Sequence, residues 1–341
     1  MHISRPLIGV MLLSAVTTLS LTACGGGGSS AETPSATTPV TEVAPTPTPV
    51  ASTPAAATPA TTPAATPAPA ATPVATTPAT ETTPAPTLVT PVPAPTPAVP
   101  AAWHPAVTDT WQWQLTGNLN TAYDVKVYDV DLYDTSANTI LALQNSGKKV
   151  LCYFSAGSSE NWRADFGSFA ASDMGNALEG WDGERWLDTR SGNVRAIMAK
   201  RLDLARSKGC DGVEPDNVDG YINRPGFALT ATTQLDYNRF LASAAHARGL
   251  VIALKNNVDQ LADLVGNFDM AVNEQCHQYK ECGGYAAFIS AGKPVFNAEY
   301  AKAYQSAGTE RDTLCADAKK LGLRTLVLPL KLDDSTRFSC D

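Results

Sequence analysis

The sequence predicts an α/β protein: a TIM-type (β/α)8 barrel preceded by a disordered linker rich in Pro, Thr and Ala. Two observations predict the barrel. Eight short apolar segments alternate with helical patterns in residues 103–341, and about 240 residues is a usual size for such a domain. A third observation predicts the linker, because residues 25–102 carry almost no charge or aromatic side chains and could not bury enough apolar surface to fold.

The eight strand candidates are short apolar segments, and most of them carry polar residues near their ends. They span residues 111–115, 125–132, 149–155, 212–217, 251–256, 270–275, 294–300 and 324–330. Helical spacing of apolar residues predicts helices over 193–207 and 233–248, the second stopped by Gly249, and shorter ones over 258–265, 285–291 and 311–321. An open doubly wound sheet is the alternative, but it usually carries a Gly-rich phosphate loop after its first strand, and this sequence has none.

Residues 1–24 predict a lipoprotein signal peptide. Arg5 precedes two apolar runs that Ser and Thr interrupt, and each is too short for a membrane span. The segment ends in Leu21-Thr22-Ala23-Cys24 before four glycines, which resembles a bacterial lipobox with Cys24 as the lipidated residue. We therefore expect a cell-envelope lipoprotein, in the outer membrane or at the cell surface, tethered by residues 25–102. An ordinary signal peptide with an incidental cysteine is the alternative.

Six further cysteines predict three disulfides, since an even number in an exported chain favours pairing. Cys276 and Cys282 are the preferred local pair, and Cys315 with Cys340 is the next, which leaves Cys152 and Cys210 as candidates. A metal site is the competing interpretation. It is disfavoured because no Cys-x-x-Cys occurs and His277 is the one histidine nearby.

The charge distribution limits the classes of partner. The net charge of −8 divides into −2 for residues 1–102 and −6 for the remainder, and no Lys/Arg cluster appears. The sequence therefore predicts no nucleic-acid partner, while a cationic substrate is compatible with the charge. The chain also lacks HExxH and GxSxG motifs, so we expect neither a metal or other cofactor nor a serine triad.

Carboxylates concentrate at the ends of the candidate strands, where barrel enzymes carry their chemistry. Strand alternation turns Glu214 and Asp216 toward the barrel axis, with Asp216 nearer the mouth and Glu214 deeper. The same rule turns Lys255 inward, where it is expected to pair with Glu214, and places Glu299 with Asn297. Converging carboxylates without histidines favour glycosidic cleavage, which needs one carboxylic acid and one carboxylate. Buried ion-pair groups are the alternative interpretation.

Long ordered motifs in residues 103–340 resemble glycoside hydrolase family 114, the endo-α-1,4-polygalactosaminidase-like proteins. They are WQWQL (111–115), CYFSAG (152–157), WLD (186–188), GCDGVEPDNVDGY (209–221) and NEQC (273–276). The resemblance implies a barrel that cuts α-1,4-linked galactosamine polymers with acidic residues at the ends of its fourth and sixth strands. Those positions are Asp216, which we assign as nucleophile, and Glu274, which we assign as general acid/base, with retention of configuration.

The expected substrate contacts are the polar and aromatic residues that surround this pair. They are Asp129, Asp131, Tyr153, Asp188, Glu214, Asn217, Lys255, Asn256, Glu299 and Tyr300. We expect a monomer that binds a galactosamine-containing polysaccharide and attaches to the membrane through Cys24. A surface lipoprotein that binds such a polymer without cutting it, a metal-dependent deacetylase, and a hydrolase of another amino-sugar polymer are the alternatives.

Overall fold

A computed structural model describes residues 103–341 of the chain. The predicted signal peptide, the lipidation of Cys24 and the linker over 25–102 lie outside the described residues. Within residues 103–341, no helix combines the length and the apolar character that crossing a membrane requires.

The described residues form twelve strands and eight α-helices. The strands are β1 (Trp111–Gln114), β2 (Val127–Asp131), β3 (Lys149–Ser155), β4 (Ser158–Glu160), β5 (Met174–Ala177), β6 (Glu184–Leu187), β7 (Gly212–Asp216), β8 (Val251–Lys255), β9 (Met270–Glu274), β10 (Val295–Glu299), β11 (Arg324–Val327) and β12 (Phe338–Ser339). The helices are α1 (Ala137–Asn145), α2 (Gly192–Lys208), α3 (Ala231–His246), α4 (Leu261–Leu264), α5 (Cys276–Tyr279), α6 (Ala286–Ser290), α7 (Lys302–Gln305) and α8 (Thr309–Leu321).

All eight predicted strands are present and pair in parallel, in the order β1-β2-β3-β7-β8-β9-β10-β11. The sheet is curled. The ring of Trp111 on β1 stacks at 5.0 Å on that of Phe296 on β10, so strands from near the two ends of the ladder lie close together. In the described ladder β11 pairs antiparallel with β12, not with β1. Side chains link these two edges instead, for Trp111 Nε1 donates to the carbonyl of Arg324 at 2.9 Å. The result is a mixed α/β fold consistent with a TIM-like barrel.

Two apolar layers follow from the alternation of side chains along the strands. Val213, Ile252 and Leu254 pack outward under the helices, as the sequence predicts. A second cluster, which includes Trp111 and Phe296, fills the interior of the curled sheet. The carboxylates of the strand ends lie above this interior cluster.

A small antiparallel sheet of order β4-β6-β5 follows directly after β3, and the sequence did not predict it. Its first strand begins three residues beyond the end of β3, so the small sheet lies at the carboxyl end of the main one. The three disulfides join Cys152 to Cys210, Cys276 to Cys282 and Cys315 to Cys340. The two preferred pairings, Cys276 with Cys282 and Cys315 with Cys340, are therefore confirmed. The disulfide between Cys152 and Cys210 links β3 to the segment before β7.

Candidate active site

Three neighbouring strands each end in a charged residue: β7 in Asp216, β8 in Lys255 and β9 in Glu274. The residue that follows each of them has a left-handed backbone, with φ of 60° at Asn217, 46° at Asn256 and 63° at Gln275. A left-handed residue turns the chain sharply, so each strand stops directly after its charged side chain. Asparagine tolerates this conformation better than most residues, which explains two of the three positions.

The ammonium group of Lys255 is the centre of the site. Its Nζ lies 3.1 Å from Asp216 Oδ1, 3.3 Å from Glu274 Oε2 and 3.3 Å from Glu214 Oε1, and its side chain is 2% exposed. The expected pairing with Glu214 is thus confirmed, although Glu214 is one of three partners. Burial by itself lowers the pKa of a lysine, but the attraction of Asp216, Glu274 and Glu214 raises the pKa of Lys255 well above its ordinary value. Lys255 therefore remains a cation.

Asp216 and Glu274 are each held by a tyrosine and a second donor. Tyr153 Oη donates to Asp216 Oδ2 at 2.9 Å, and Tyr300 Oη donates to Glu274 Oε1 at 2.6 Å. The backbone N–H of Asn217 donates to Asp216 Oδ1 at 2.7 Å. Burial and the adjacent carboxylates raise the pKa of both tyrosines well above its ordinary value, so both phenols keep the protons that they donate.

The two carboxyl groups face the same pocket at a limited separation. Since Asp216 Oδ1 and Glu274 Oε2 lie 3.1 and 3.3 Å from the same nitrogen, these oxygens are at most about 6.4 Å apart. Their side chains are 17% and 27% exposed, in contrast to the fully buried Glu214. Both carboxylates are therefore open to a ligand at the mouth while Lys255 stays beneath them.

The amide of Asn256 is oriented toward Glu274 by its other contacts. Asn256 Oδ1 accepts from the backbone N–H of Glu274 at 2.9 Å and from Asn273 Nδ2 at 3.3 Å. Its Nδ2 is then left to donate to Glu274 Oε2, at 3.3 Å. Asn273 is itself fixed, since its Nδ2 donates to Tyr285 Oη at 2.8 Å. Asn256 therefore positions one carboxyl oxygen of Glu274.

A buried pair of carboxyls, Asp129 and Glu214, lies below this pocket. Both residues are 0% exposed. Burial is the main cause that raises the pKa of each carboxyl above its ordinary value, and the negative charge of Asp129 raises the pKa of Glu214 further. These residues support the floor of the site and are not accessible to a ligand at the mouth.

Two other predicted substrate contacts are engaged by arginines. Both oxygens of Asp131 accept from the buried Arg163 guanidinium, at 2.6 and 3.0 Å. Asp188 binds Arg190 in the same bidentate way, at 2.8 and 2.9 Å, and this interaction lowers the pKa of Asp188. A substrate amine would have to compete with these guanidinium groups. The assignment of Asp131 and Asp188 as substrate contacts stays a prediction.

Glu299 lies on the same face of β10 as Asn297, as the strand alternation predicts. Phe296 and Ala298, on the opposite face, belong to the interior cluster, so Asn297 and Glu299 face the helix layer. Glu299 is 0% exposed, and its Oε1 accepts from the backbone N–H of His277 at the start of α5, at 2.9 Å. Glu299 thus stabilises the short helix that follows Glu274.

Ser158 of the small sheet, which sequence reasoning missed, braces the turn after Asp216 together with Ser155 at the end of β3. Ser155 and Ser158 hydroxyls lie 2.6 Å apart, and Asn217 Nδ2 donates to Ser155 Oγ at 2.9 Å. Ser158 Oγ in turn donates to Glu184 Oε2 at 2.5 Å, and burial raises the pKa of Glu184 to about 7 although this bond opposes the rise. The only hint in the sequence is position, since Ser155 ends a predicted strand and Ser158 follows it by three residues.

Residues 103–341 contain one cluster with side chains of the kind that bind metals. Cys276, His277 and Cys282 form the one cluster there with ligand atoms close enough for a metal, but its two sulfurs are joined in a disulfide. They therefore offer no thiolates.

One family model and several solved structures match this chain. Residues 92–341 match the sequence model of glycoside-hydrolase family GH114. Ega3 of Aspergillus fumigatus, solved in complex with galactosamine, is 45% identical with a TM-score of 0.67, over 71% of this chain and 99% of that chain. The glycoside hydrolase domain of PelA from Pseudomonas aeruginosa shares the fold at 17% identity and a TM-score of 0.52, over 66% of this chain and 96% of that one. A search of curated proteins found no significant match. On the family match and the similarity to Ega3, the chain belongs to glycoside-hydrolase family GH114.

Proposed function

We propose that the protein is an endo-acting hydrolase of α-1,4-linked galactosamine-rich polysaccharide that retains anomeric configuration. The observation that carries the proposal is the arrangement of Asp216 and Glu274, two accessible carboxyls held over one buried ammonium. The two oxygens that contact Lys255 are at most about 6.4 Å apart, which is near the lower end of the range of about 6.5–9.5 Å between the carboxyl groups of inverting enzymes. The separation allows the value of about 5–5.5 Å that is typical of retaining enzymes.

In the proposed mechanism Glu274 begins as the carboxylic acid and Asp216 as the carboxylate. Asp216 attacks the anomeric carbon while Glu274 gives its proton to the departing glycosidic oxygen, which leaves a glycosyl ester on Asp216. Glu274 then takes a proton from water, and the resulting hydroxide displaces Asp216 from the sugar. Both carboxyls and both protonation states are thereby restored.

The neighbouring residues each have a part in this cycle. Tyr153 and Lys255 hold Asp216 by separate oxygens, which fixes the direction of its attack. Tyr300 and Asn256 hold Glu274. A preorganised carboxylate needs little reorientation as the reaction proceeds, and this lowers the barrier.

The preference for galactosamine rests on charge and on the similarity to Ega3. Asp216, Glu274 and the Asp129–Glu214 pair place more acidic groups in the site than Lys255 neutralises. An excess of negative charge attracts a protonated amino sugar. Ega3 was solved with galactosamine bound, and it is 45% identical to this chain.

The proposal places this activity in the cell envelope. We also propose that the main sheet forms a closed (β/α)8 barrel and that the catalytic domain is a monomer. A lipid on Cys24 would anchor the domain to the outer membrane or cell surface through residues 25–102, leaving it free to reach polymer beyond the membrane.

The test compares reducing ends released from polygalactosamine by the wild type, Asp216→Asn and Glu274→Gln. Asp236→Asn, which removes a 70% exposed carboxylate on α3, is the control. We expect release by the wild type and the control, and a loss of at least 10³-fold in kcat for both site variants, in line with the effect of removing a catalytic group. NMR of the first products should show the α-anomer.

Three outcomes would count against the proposal. Tight binding of the polymer without release of reducing ends would favour a binding lipoprotein. Faster cleavage of a glucosamine polymer in parallel assays would identify another amino-sugar substrate. A β-anomer as first product would exclude retention.

A further inference from the structure

Two tryptophans in the loops next to the small sheet are exposed, unlike Trp111 and Trp113 of the main sheet. Trp162 is 54% exposed and Trp181 is 49% exposed. By comparison Trp111 and Trp113 in the interior cluster are at most 1% exposed. Large indole rings left in water on a rigid element are typical of ligand-binding surfaces.

The two tryptophans extend from the same edge of the small sheet. Trp162 lies two residues after the end of β4, and Trp181 lies three residues before the start of β6. These ends are paired, with Glu160 opposite Glu184. The backbone N–H of Asn161 donates to the carbonyl of Gly183 at 3.1 Å and holds the two loops together beyond the sheet. The two loops that carry the tryptophans therefore lie side by side, and we call their exposed surface the patch.

The turn that carries Trp181 is fixed despite its exposure. Trp181 N–H donates to the carbonyl of Leu178 at 3.2 Å, and Glu184 N–H donates to the carbonyl of Trp181 at 3.2 Å. Gly180 and Gly183 supply left-handed backbone at φ of 86° and 92°, which the tight turn requires. Because the backbone of this turn is already held, the segment that carries Trp181 loses little conformational entropy when a ligand binds to it.

This edge is continuous with the candidate active site. β4 begins at Ser158, whose Oγ lies 3.4 Å from Asn217 Nδ2, next to Asp216. At about 3.3 Å per residue, Trp162 is at most about 13 Å along the chain from Ser158. A polymer that leaves the catalytic pocket over β4 would meet the two rings.

The charge of the patch selects the kind of ligand. The carboxylates of Glu179 and Asp182 flank Trp181, both exposed and both without an ion-pair partner in residues 103–341. Indole faces stack on sugar rings and attract ammonium groups. Carboxylates also pair with ammonium groups. A neutral sugar would use the rings alone, while a protonated amino sugar would use the rings and the carboxylates.

We propose that Trp162, Trp181, Glu179 and Asp182 form a second binding site for cationic galactosamine polymer, outside the catalytic pocket. The site holds a distal stretch of the chain while Asp216 and Glu274 act on another. The identity of the polymer rests on the proposed function, but the site itself rests on the exposed rings and carboxylates.

The test measures binding of deacetylated galactosamine oligomers, short and long, to Asp216→Asn protein, so that no cleavage occurs. Trp162→Ala with Trp181→Ala in that protein should weaken the affinity for long oligomers by about tenfold or more and leave the affinity for galactosamine monomer unchanged. Glu179→Gln with Asp182→Asn should weaken binding of deacetylated oligomers but not of fully N-acetylated ones. Leu141→Ala, which truncates a side chain that is 55% exposed on α1, is the matched control.

Equal affinity for long oligomers with and without the two tryptophans would overturn the proposal, as would the same loss in Leu141→Ala. Because both tryptophans lie at the surface, thermal unfolding of each variant should match that of the parent protein. Failure of the proposed function is distinguishable. A wild type that releases no reducing ends, yet loses oligomer binding on substitution of the tryptophans, would refute the hydrolase and retain this site.

Discussion

Replacement of Glu299 by glutamine should change how the stability of the domain depends on pH. Burial of Glu299 raises its pKa to about 7 from an ordinary 4.5, although hydrogen bonds from the His277 backbone and Asn297 oppose the rise. The folded protein therefore binds more protons than the unfolded chain between these two values. By linkage, this residue's contribution is fully present below pH 4.5, falls as the pH rises, and levels off above pH 7.

The size of the effect follows from the two pKa values. Their difference of about 2.5, at 1.36 kcal/mol for each pKa unit, corresponds to about 3 kcal/mol. Glu299→Gln removes the ionisation and this part of the pH dependence with it. The wild type should therefore lose about 3 kcal/mol relative to the variant between pH 4 and pH 8, whatever the absolute stability of the variant.

Urea unfolding followed by tryptophan fluorescence, with the disulfides intact, measures both proteins at each pH. Glu310→Gln on α8 controls for the loss of one exposed carboxylate. If the difference between wild type and Glu299→Gln is the same at pH 4 and pH 8, then Glu299 is not a buried group that resists ionisation, and the assigned position behind α5 is refuted.

Three further substitutions test how the site is held. Lys255→Met should lower the free energy of unfolding by about 3–5 kcal/mol, because it leaves buried carboxyls without their cation. The control is Lys148→Met, which removes an ion pair with the exposed Asp124 and should cost less than about 1 kcal/mol in the same denaturant titration. Gly157→Ala would place a Cβ 1.7 Å from the carbonyl oxygen of Asn217, so the melting temperature should fall by roughly 2–12 °C and kcat with it; an unchanged melting temperature would contradict this contact. Asn256→Ala removes a donor to Glu274 and should lower kcat by about 10- to 100-fold with little change in KM; a change in KM alone would make Asn256 a substrate contact.

Much of the site could be predicted because its residues end regular strands. Apolar positions two apart in β7 and β8 indicate which side faces the helices, so the inward direction of Asp216 and Lys255 follows. The same rule places Glu299 with Asn297, but it does not show which way the two side chains face, since both faces of β10 are buried. In β10 the polar residues Asn297 and Glu299 face the helix layer. Phe296 faces the interior of the sheet, where it stacks on Trp111.

By itself the sequence determined the order of eight parallel strands, the position of Asp216 and Glu274 at their ends, and the two preferred disulfides, because each depends on residues close together in the chain. Only the tertiary structure decided how the charges pair. Lys255 joins three carboxylates from two strands, Arg163 binds Asp131, and the hydroxyls of Ser155 and Ser158 support Asn217. Such contacts depend on distances between segments far apart in sequence, and local periodicity sets the direction of a side chain but not the partner that it meets.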